Sequence, residues 1–420
     1  MRRFVVRLLR FAIEVFYRRV EIAGFENIPR DAPMIFAVNH PNGLIDPLFV
    51  LCYAPRAVSF LAKAPLFRYP LIGSLARLFD SIPVYRKQDN VTGSNEETFA
   101  RAREILERGG GVAIFPEGTT HSDARLRELK TGAARIALGA SIPNLAVVPT
   151  GIYYSAKGTF RSDVLVIYGA PLAVRASESV EELTSEIERG LAAVTLQADS
   201  RAAMDLVAKA EDIFSDRTDV AGEFALRKQF VDGYHYLCEH DPQRLARLES
   251  EVTRFAEELR RAKLEPHELV TRFRASTIVR VVVQLPVAAA GAVLHYPTYR
   301  LVGFLAKRFS QGESELMATI KFIGSLLLFP LTWIVYAIVA YHYLGVLAAI
   351  GALLVIPILG FEAYRIFETA DVLIGRLRAI RRRDLVAARN SLRSEFVIVA
   401  SEMVSNPANG DAGLSSATRT

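Results

Sequence analysis

The sequence predicts a mixed α/β domain, its sheet flanked by helices, followed by a helical region and a C-terminal transmembrane helical hairpin. Three observations carry that reading. Over roughly the first 175 residues, short apolar runs alternate with helix-period stretches, the pattern of an α/β domain. Between Ser177 and Phe273, Glu, Arg, Ala and Leu dominate and strand-like runs vanish. From Phe322 to Phe361 no Asp, Glu, Lys or Arg occurs over about forty positions, twice the ~20 residues that one crossing of the bilayer core requires.

Composition narrows the class further. A chain of 420 residues has room for two or three domains. Its hydrophobic fraction of 51% is high for a soluble enzyme, while 23% charged residues exclude a wholly disordered or wholly membrane-embedded chain. The net charge of +6 suits anionic partners such as lipid headgroups or phosphorylated substrates. Nucleic acid fits less well, because the basic residues cluster at membrane flanks and not on an aromatic-lined face. Cys52 and Cys238 have no metal-ligand spacing, offer no disulfide framework and suit a reducing compartment.

Along the chain, residues 1–19 interleave Arg2, Arg3, Arg7, Arg10, Arg18 and Arg19 with Phe4, Leu8, Phe11 and Phe16, without a secretory-signal pattern. They read as a basic amphipathic helix that can lie in the interface of an anionic bilayer or pack on its own domain. Residues 20–175 form the α/β domain, with strands expected at Met34–Asn39, Ala57–Leu61, Ile82–Tyr85, Gly111–Phe115, Leu145–Thr150 and Val164–Gly169. Helices are expected at Asn95–Arg108 and Leu129–Ala140. Residues 176–275 read as a helical hairpin or bundle, with a stripe of Leu245, Leu248, Val252, Phe255 and Leu259 at helical spacing.

Residues 276–383 form the membrane region. A short apolar stretch at about 281–296, basic on both sides, is expected to be re-entrant or interfacial. The hairpin at about 322–362 turns near Tyr341–Gly345, where no lysine or arginine occurs. Lys307, Arg308 and Lys321 precede it and Arg365, Arg376, Arg378 and Arg381–Arg383 follow it, which places both ends in the cytoplasm. Residues 384–420 end in a small, polar, disordered tail.

The candidate chemistry lies at two strand ends. His40 precedes Pro41, which pushes it into extended geometry, and Asn42-Gly43 signals a turn. Asp46-Pro47 then reads as a helix N-cap with proline at the first helical position. Strand, turn and helix start can fold Asp46 back onto the His40 ring. A continuous helix could not, since six residues turn through about 600°. With Asp46 on one imidazole nitrogen, the other becomes a base, and no serine or cysteine is needed if the substrate brings the hydroxyl. In Phe115-Pro116-Glu117-Gly118-Thr119, Glu117 can hydrogen-bond a polyol hydroxyl and Gly118 admits close backbone approach. Arg86, beside Lys87, and Lys130 before a helix start are candidate anion ligands. A metal bound by His40, Asp46, Glu117 and His121 lacks a dense ligand motif.

These residues resemble the glycerophospholipid acyltransferase superfamily, the PlsC-like enzymes. His40 and Asp46 match its His/Asp block, Ile82–Arg86 its second block, Phe115–Thr119 its glutamate-glycine block and Val147–Gly151 its proline-bearing fourth block, in the family's order over residues 20–175. Five residues separate His40 from Asp46, one more than is commonest in the family. That longer form is similar to the branch of fungal-type glycerol-3-phosphate and dihydroxyacetone-phosphate acyltransferases, as are Asp123–Leu126, Lys130–Arg135 and the large C-terminal membrane region.

The resemblance implies that His40, held by Asp46, deprotonates a glycerol hydroxyl that attacks an acyl thioester. It implies substrate contacts from Arg86, Glu117, Gly118, Thr119 and, more weakly, Lys130. The partners are then an acyl thioester donor (acyl-CoA or acyl-ACP), a phosphorylated glycerol acceptor and membrane lipids, with no cofactor and no metal. The expected place is the cytoplasmic membrane, with the catalytic domain facing the cytoplasm. Acylation of 1-acylglycerol 3-phosphate, thioester hydrolysis and a non-catalytic membrane hairpin scaffold remain alternatives at this point.

Overall fold

The computed structural model describes residues 1–85, 95–216, 219–269, 275–310 and 313–405. They fall into two compact units, one made of Met1–Gln197 with Tyr299–Leu328, the other of Ala198–Thr298 with the chain from Phe329 onward. In chain order the first unit contains α1 (Arg2–Phe16), β1 (Arg19–Ala23), β2 (Met34–Val38), α2 (Asp46–Tyr53), β3 (Val58–Lys63), α3 (Pro70–Leu78) and β4 (Ile82–Val84). It continues with α4 (Asn95–Glu107), β5 (Gly111–Ile114), α5 (Gly132–Ala140), β6 (Ala146–Tyr154), β7 (Asp163–Tyr168), β8 (Leu172–Ala173) and α6 (Val180–Ala193).

The sheet runs β1-β7-β6-β2-β5-β3-β4, with β8 paired to β6. Neighbours are parallel except at β6–β7 and β6–β8. β2 lies between β5 and β6 and every residue of it is buried. Its alternation divides the core. Met34, Phe36 and Val38 join Leu9, Ile13 and Phe16 of α1 and Phe49 and Val50 of α2 in one layer. Ile35 and Ala37 join Ala102 and Leu106 of α4, Ile136 of α5 and Leu183, Ile187 and Leu191 of α6 in the other. A strand covered on both faces needs a continuous apolar run, which is why Met-Ile-Phe-Ala-Val is uninterrupted.

Several segments differ from expectation for physical reasons. β1 is an edge strand that the sequence reading leaves unassigned, because it is only five residues long and its first residue, Arg19, closes the basic run of the N-terminal helix. Arg18 and Arg19 both reach the buried carboxylate of Asp163, at 2.9 Å and 2.6 Å. α1 stops at Phe16 and buries Leu9, Ile13 and Phe16, while Phe4, Leu8, Phe11 and Val15 stay exposed on its other face. β6 continues to Tyr154, past Thr150-Gly151, which reads as a strand end. Gly151 is there for a close approach: a Cβ would lie 2.0 Å from the carbonyl oxygen of Val194, just after α6.

The helical region also divides differently. α6 packs on the sheet. The second unit instead joins α7 (Arg201–Phe214), α8 (Val220–His240) and α9 (Pro242–Ala262) to a helix from the far end of the chain, Arg383–Ser405. Leu385 and Leu392 of that last helix share a core with Ile213, Val252, Phe255 and Leu259. Arg244 pairs with Glu395 at 2.8 Å and Glu402 at 2.7 Å. The C-terminal segment is therefore a fourth bundle helix as far as Ser405, and the tail expected to be disordered lies outside the described residues.

Between them come α10 (Ala275–Phe309), α11 (Ser314–Leu344) and α12 (Val346–Ala379), after which the bundle's last helix is α13. All three are long and apolar enough to cross a membrane. The segment expected to be short and re-entrant at 281–296 is instead part of one continuous 35-residue helix, with Pro286 and Pro297 inside it. The sequence reads Arg280 and Arg300 as its bounds, yet the helix runs past both. Within the second unit α10 is keyed to α11 by polar contacts that apolar surroundings strengthen. Thr298 and Thr332 hydroxyls lie 2.7 Å apart, and Trp333 Nε1–H donates to His295 Nε2 at 2.9 Å. Gly345, with φ 88°, separates α11 from α12.

Candidate active site

The carboxyl ends of β2 and β5 are adjacent because these strands pair in parallel, Ala37 opposite Ile114. The chain leaves β2 through Asn39, whose amide clasps β6: its side-chain N–H donates to Ile152 O at 3.2 Å and its oxygen accepts from Ile152 N–H at 2.7 Å. That clasp fixes where His40 begins. The ring of His40 then stacks on Phe115, at the end of β5, with centroids 4.2 Å apart.

The turn Pro41–Ile45 brings Asp46 back beneath the imidazole. Nδ1 of His40 lies 2.9 Å from Oδ2 of Asp46. The N–H of Asn42 donates to the same oxygen at 2.6 Å, and the hydroxyl of Tyr154 donates to Oδ1 at 2.6 Å. Asp46 is completely buried, whereas the His40 side chain keeps 13% exposure. An ionised carboxylate so deep is tolerable only with such donors around it. With Nδ1–H committed to Asp46, the remaining nitrogen, Nε2, is left as the acceptor of the neutral ring.

One expectation is corrected here. Asp46 is not the N-cap of α2: Ile45 holds that position, and Asp46 is the first helical residue with Pro47 second. Its carboxylate accepts from Asn42 N–H and from the two side chains instead of capping its own helix.

Glu117 also takes a different part from the one expected. It is buried, and its oxygens are engaged by protein donors. His40 N–H donates to Oε1 at 3.0 Å, Arg127 N–H donates to Oε2 at 3.2 Å, and His121 Nε2 bonds Oε2. Asp123 N–H donates to Nδ1 of His121 at 3.2 Å, so the neutral ring carries its proton on Nε2 and donates it to Glu117. His121 N–H returns to His40 O at 3.3 Å. Glu117 thus ties the His40 loop to the loop after β5, each of its oxygens accepting from at least one protein donor.

Gly118 adopts φ +72°, the left-handed region that favours glycine. Lys130 N–H closes the loop onto Pro116 O at 2.7 Å, while its side chain is exposed and its Cγ lies 3.5 Å from where a Cβ on Gly118 would sit. Thr119 follows in the same turn, half-buried. Arg86 and Lys87 lie outside the described residues. Among the described residues no group of three or more His, Cys, Asp or Glu side chains is arranged to hold a metal ion.

The sequence reading missed Tyr154, Asn39 and the role of His121. Asn39 directly before His40 is a usable signal, since a half-buried amide at a strand end needs backbone partners. Tyr154 gave none, lying more than a hundred residues from Asp46 on a strand that was ended too early.

Residues 19–153, which contain all of this geometry, match the family model described as Acyltransferase. This stretch, about a third of the chain, matches an acyltransferase domain. The chain is 26% identical to glycerol-3-phosphate O-acyltransferase 2 of Saccharomyces cerevisiae over 58% of its own length and 38% of that protein. It is 34% identical to a 1-acyl-sn-glycerol-3-phosphate acyltransferase of Limnanthes alba, over 34% of its length and 49% of the relative. An uncharacterized acyltransferase of Schizosaccharomyces pombe is 23% identical over 80% of this chain and 68% of that one. Among solved structures, the 1-acyl-sn-glycerophosphate acyltransferase PlsC of Thermotoga maritima matches 46% of this chain and 80% of its own, at 22% identity and a TM-score of 0.37. The chain spans less than two-fifths of the yeast glycerol-3-phosphate relative's length.

Proposed function

We propose that this protein is a membrane-bound O-acyltransferase of phospholipid biosynthesis that moves a fatty acyl group from a thioester to the hydroxyl of glycerol 3-phosphate or dihydroxyacetone phosphate. The observation that carries the reading is the His40–Asp46 pair: Nδ1 locked onto a buried carboxylate, Nε2 left as the open base. The acceptor hydroxyl gives its proton to Nε2 as its oxygen attacks the thioester carbonyl. The tetrahedral intermediate collapses with loss of the thiolate, which takes the proton back from Nε2–H. Base assistance of this kind contributes on the order of 10²–10⁴-fold. The chemistry calls for neither cofactor nor metal, because the substrate supplies the nucleophile. Arg86, with Lys130 secondary, is the residue assigned to the acceptor phosphate, and Gly118 and Thr119 line the turn beside the base.

Glycerol 3-phosphate is preferred because the yeast relatives bearing that name align well beyond the catalytic domain. Acylation of 1-acylglycerol 3-phosphate is the second reading, supported by the higher identity of the Limnanthes relative within the domain. The basic flanks of the apolar helices favour a cytoplasmic membrane with the catalytic domain on the cytoplasmic side. Offering the three acceptors separately to the purified protein, with acyl-CoA and then acyl-ACP, tests the reading. Release of free acid regardless of acceptor would replace it with a thioester hydrolase.

A further inference from the structure

Oδ1 and Oδ2 of Asp46 are chemically equivalent in isolation, but the site treats them differently. Oδ2 serves His40 and the Asn42 N–H, while Oδ1 faces the hydroxyl of Tyr154 at 2.6 Å. Tyr154 sits at the last position of β6, and its ring is wedged edge-on against Phe49 of α2, with centroids 5.9 Å apart. It cannot swing away without breaking that packing. Tyr17, at the end of α1, faces the same pocket with its ring 6.0 Å from Tyr154, but its hydroxyl makes no bond to Asp46. Glu117 and His121 meet His40 through its backbone and not through its ring.

We propose that Tyr154 is a positioning residue of the dyad: its hydroxyl holds the Asp46 carboxylate in the one rotation that aims Oδ2 at His40, and withdraws negative charge from it. The inference rests on the general-base reading of His40 and extends it to a second layer. Burial, then the charge of Asp46, pushes the Tyr154 hydroxyl well above the ordinary tyrosine range, so it stays a donor and takes no part as an acid. Without that hydroxyl, Oδ1 loses the hydrogen bond it makes here, the carboxylate is freer to rotate beside the buried Asn42 amide and the Tyr17 hydroxyl, and more of its charge falls on the imidazolium.

The test uses full-length protein in nanodiscs carrying Tyr154→Phe, with Tyr17→Phe as a control from the same pocket. In Tyr154→Phe, kcat should fall about tenfold with KM little changed, and the acid limb of the kcat/KM profile should move up by about one pH unit, the size of one charge-assisted hydrogen bond. A readout independent of turnover is the pH midpoint of carbethoxylation of the His40 peptide by diethyl pyrocarbonate, measured by mass spectrometry. That midpoint should rise by the same amount in Tyr154→Phe and stay in place in Tyr17→Phe. Placing 3-fluorotyrosine at position 154 keeps the ring and strengthens the donor, so it should move the midpoint down, which keeps the test decisive if Tyr154→Phe folds poorly. An unmoved midpoint in both Tyr154 variants overturns the proposal, even if kcat falls. A midpoint that moves in a protein inactive towards every acceptor upholds Tyr154 and fails the acyltransferase reading alone.

Discussion

His40 is held from four directions: Asp46 beneath Nδ1, Phe115 against its face, Glu117 on its N–H and His121 on its carbonyl. Replacing it with alanine should abolish transfer and leave the protein in the membrane fraction, as an acyltransferase assay on isolated membranes would show. Glu117→Gln probes the loop clamp. An amide has one acceptor oxygen where the carboxylate uses two, so one of the N–H groups of His40 and Arg127 loses its partner at a cost of about 1–3 kcal/mol. The expected result is a lower kcat with the KM for the acceptor nearly unchanged. A large rise in that KM instead would return Glu117 to the substrate.

Much of this was legible from residues alone. Pro41, Asn42-Gly43 and Asp46-Pro47 dictate a turn that returns the carboxylate to the ring. The sequence could not say that Glu117 faces inward, because its partners are backbone N–H groups whose direction depends on the loop's closure at Lys130. Nor could it say that Tyr154 reaches Asp46, since that contact exists only once β6 has paired with β2.

At the scale of elements, the bundle helices show how tertiary pairing overrides local reading. The stripe on α9 was visible as a helical repeat, but its partner includes α13, which follows the whole membrane region. Glu211 of α7 is buried beside Arg227 of α8, at 3.1 Å. Burial raises its carboxyl to about 7, against the opposing pull of Arg227. A carboxyl with a raised folded pKa favours the folded state when protonated, so the bundle should lose stability as pH rises from about 4.5, the ordinary value, to about 7. Glu211→Gln should flatten that window, as the pH dependence of thermal unfolding would reveal. A slope unchanged by the substitution would place the pH sensitivity elsewhere. On the sheet, Gly118→Ala forces a side chain into the left-handed region at a cost of about 1–2 kcal/mol, and a melting temperature equal to wild type would mean the turn relaxes to absorb it.

For the whole molecule, the return of α13 to the α7–α9 bundle sets a topological constraint. Segments that share a core lie on one side of a membrane, so the helices between them cross an even number of times. Among the described residues three helices are long enough to cross, yet two crossings are expected, by the uncharged stretches of α11 and α12. α10, flanked by Arg280 and by Arg300, Lys307 and Arg308, should begin and end on the same side. Single cysteines at Glu313, Tyr343 and Ser401, in a chain lacking Cys52 and Cys238, test this with a membrane-impermeant thiol reagent. Glu313 and Ser401 should label from one side and Tyr343 from the other. Labelling of Glu313 together with Tyr343, opposite Ser401, would make α10 and α12 the two crossings and contradict the assignment to α11 and α12.

The most direct measurement of function uses the full-length protein in nanodiscs with radiolabelled acyl-CoA, offered glycerol 3-phosphate, dihydroxyacetone phosphate or 1-acylglycerol 3-phosphate separately, beside His40→Ala. Acylated glycerol 3-phosphate or its dihydroxyacetone counterpart, lost in His40→Ala, is the predicted result. Acylation that survives in His40→Ala would contradict the central claim that this histidine is the base, and transfer to 1-acylglycerol 3-phosphate alone would overturn the assigned acceptor.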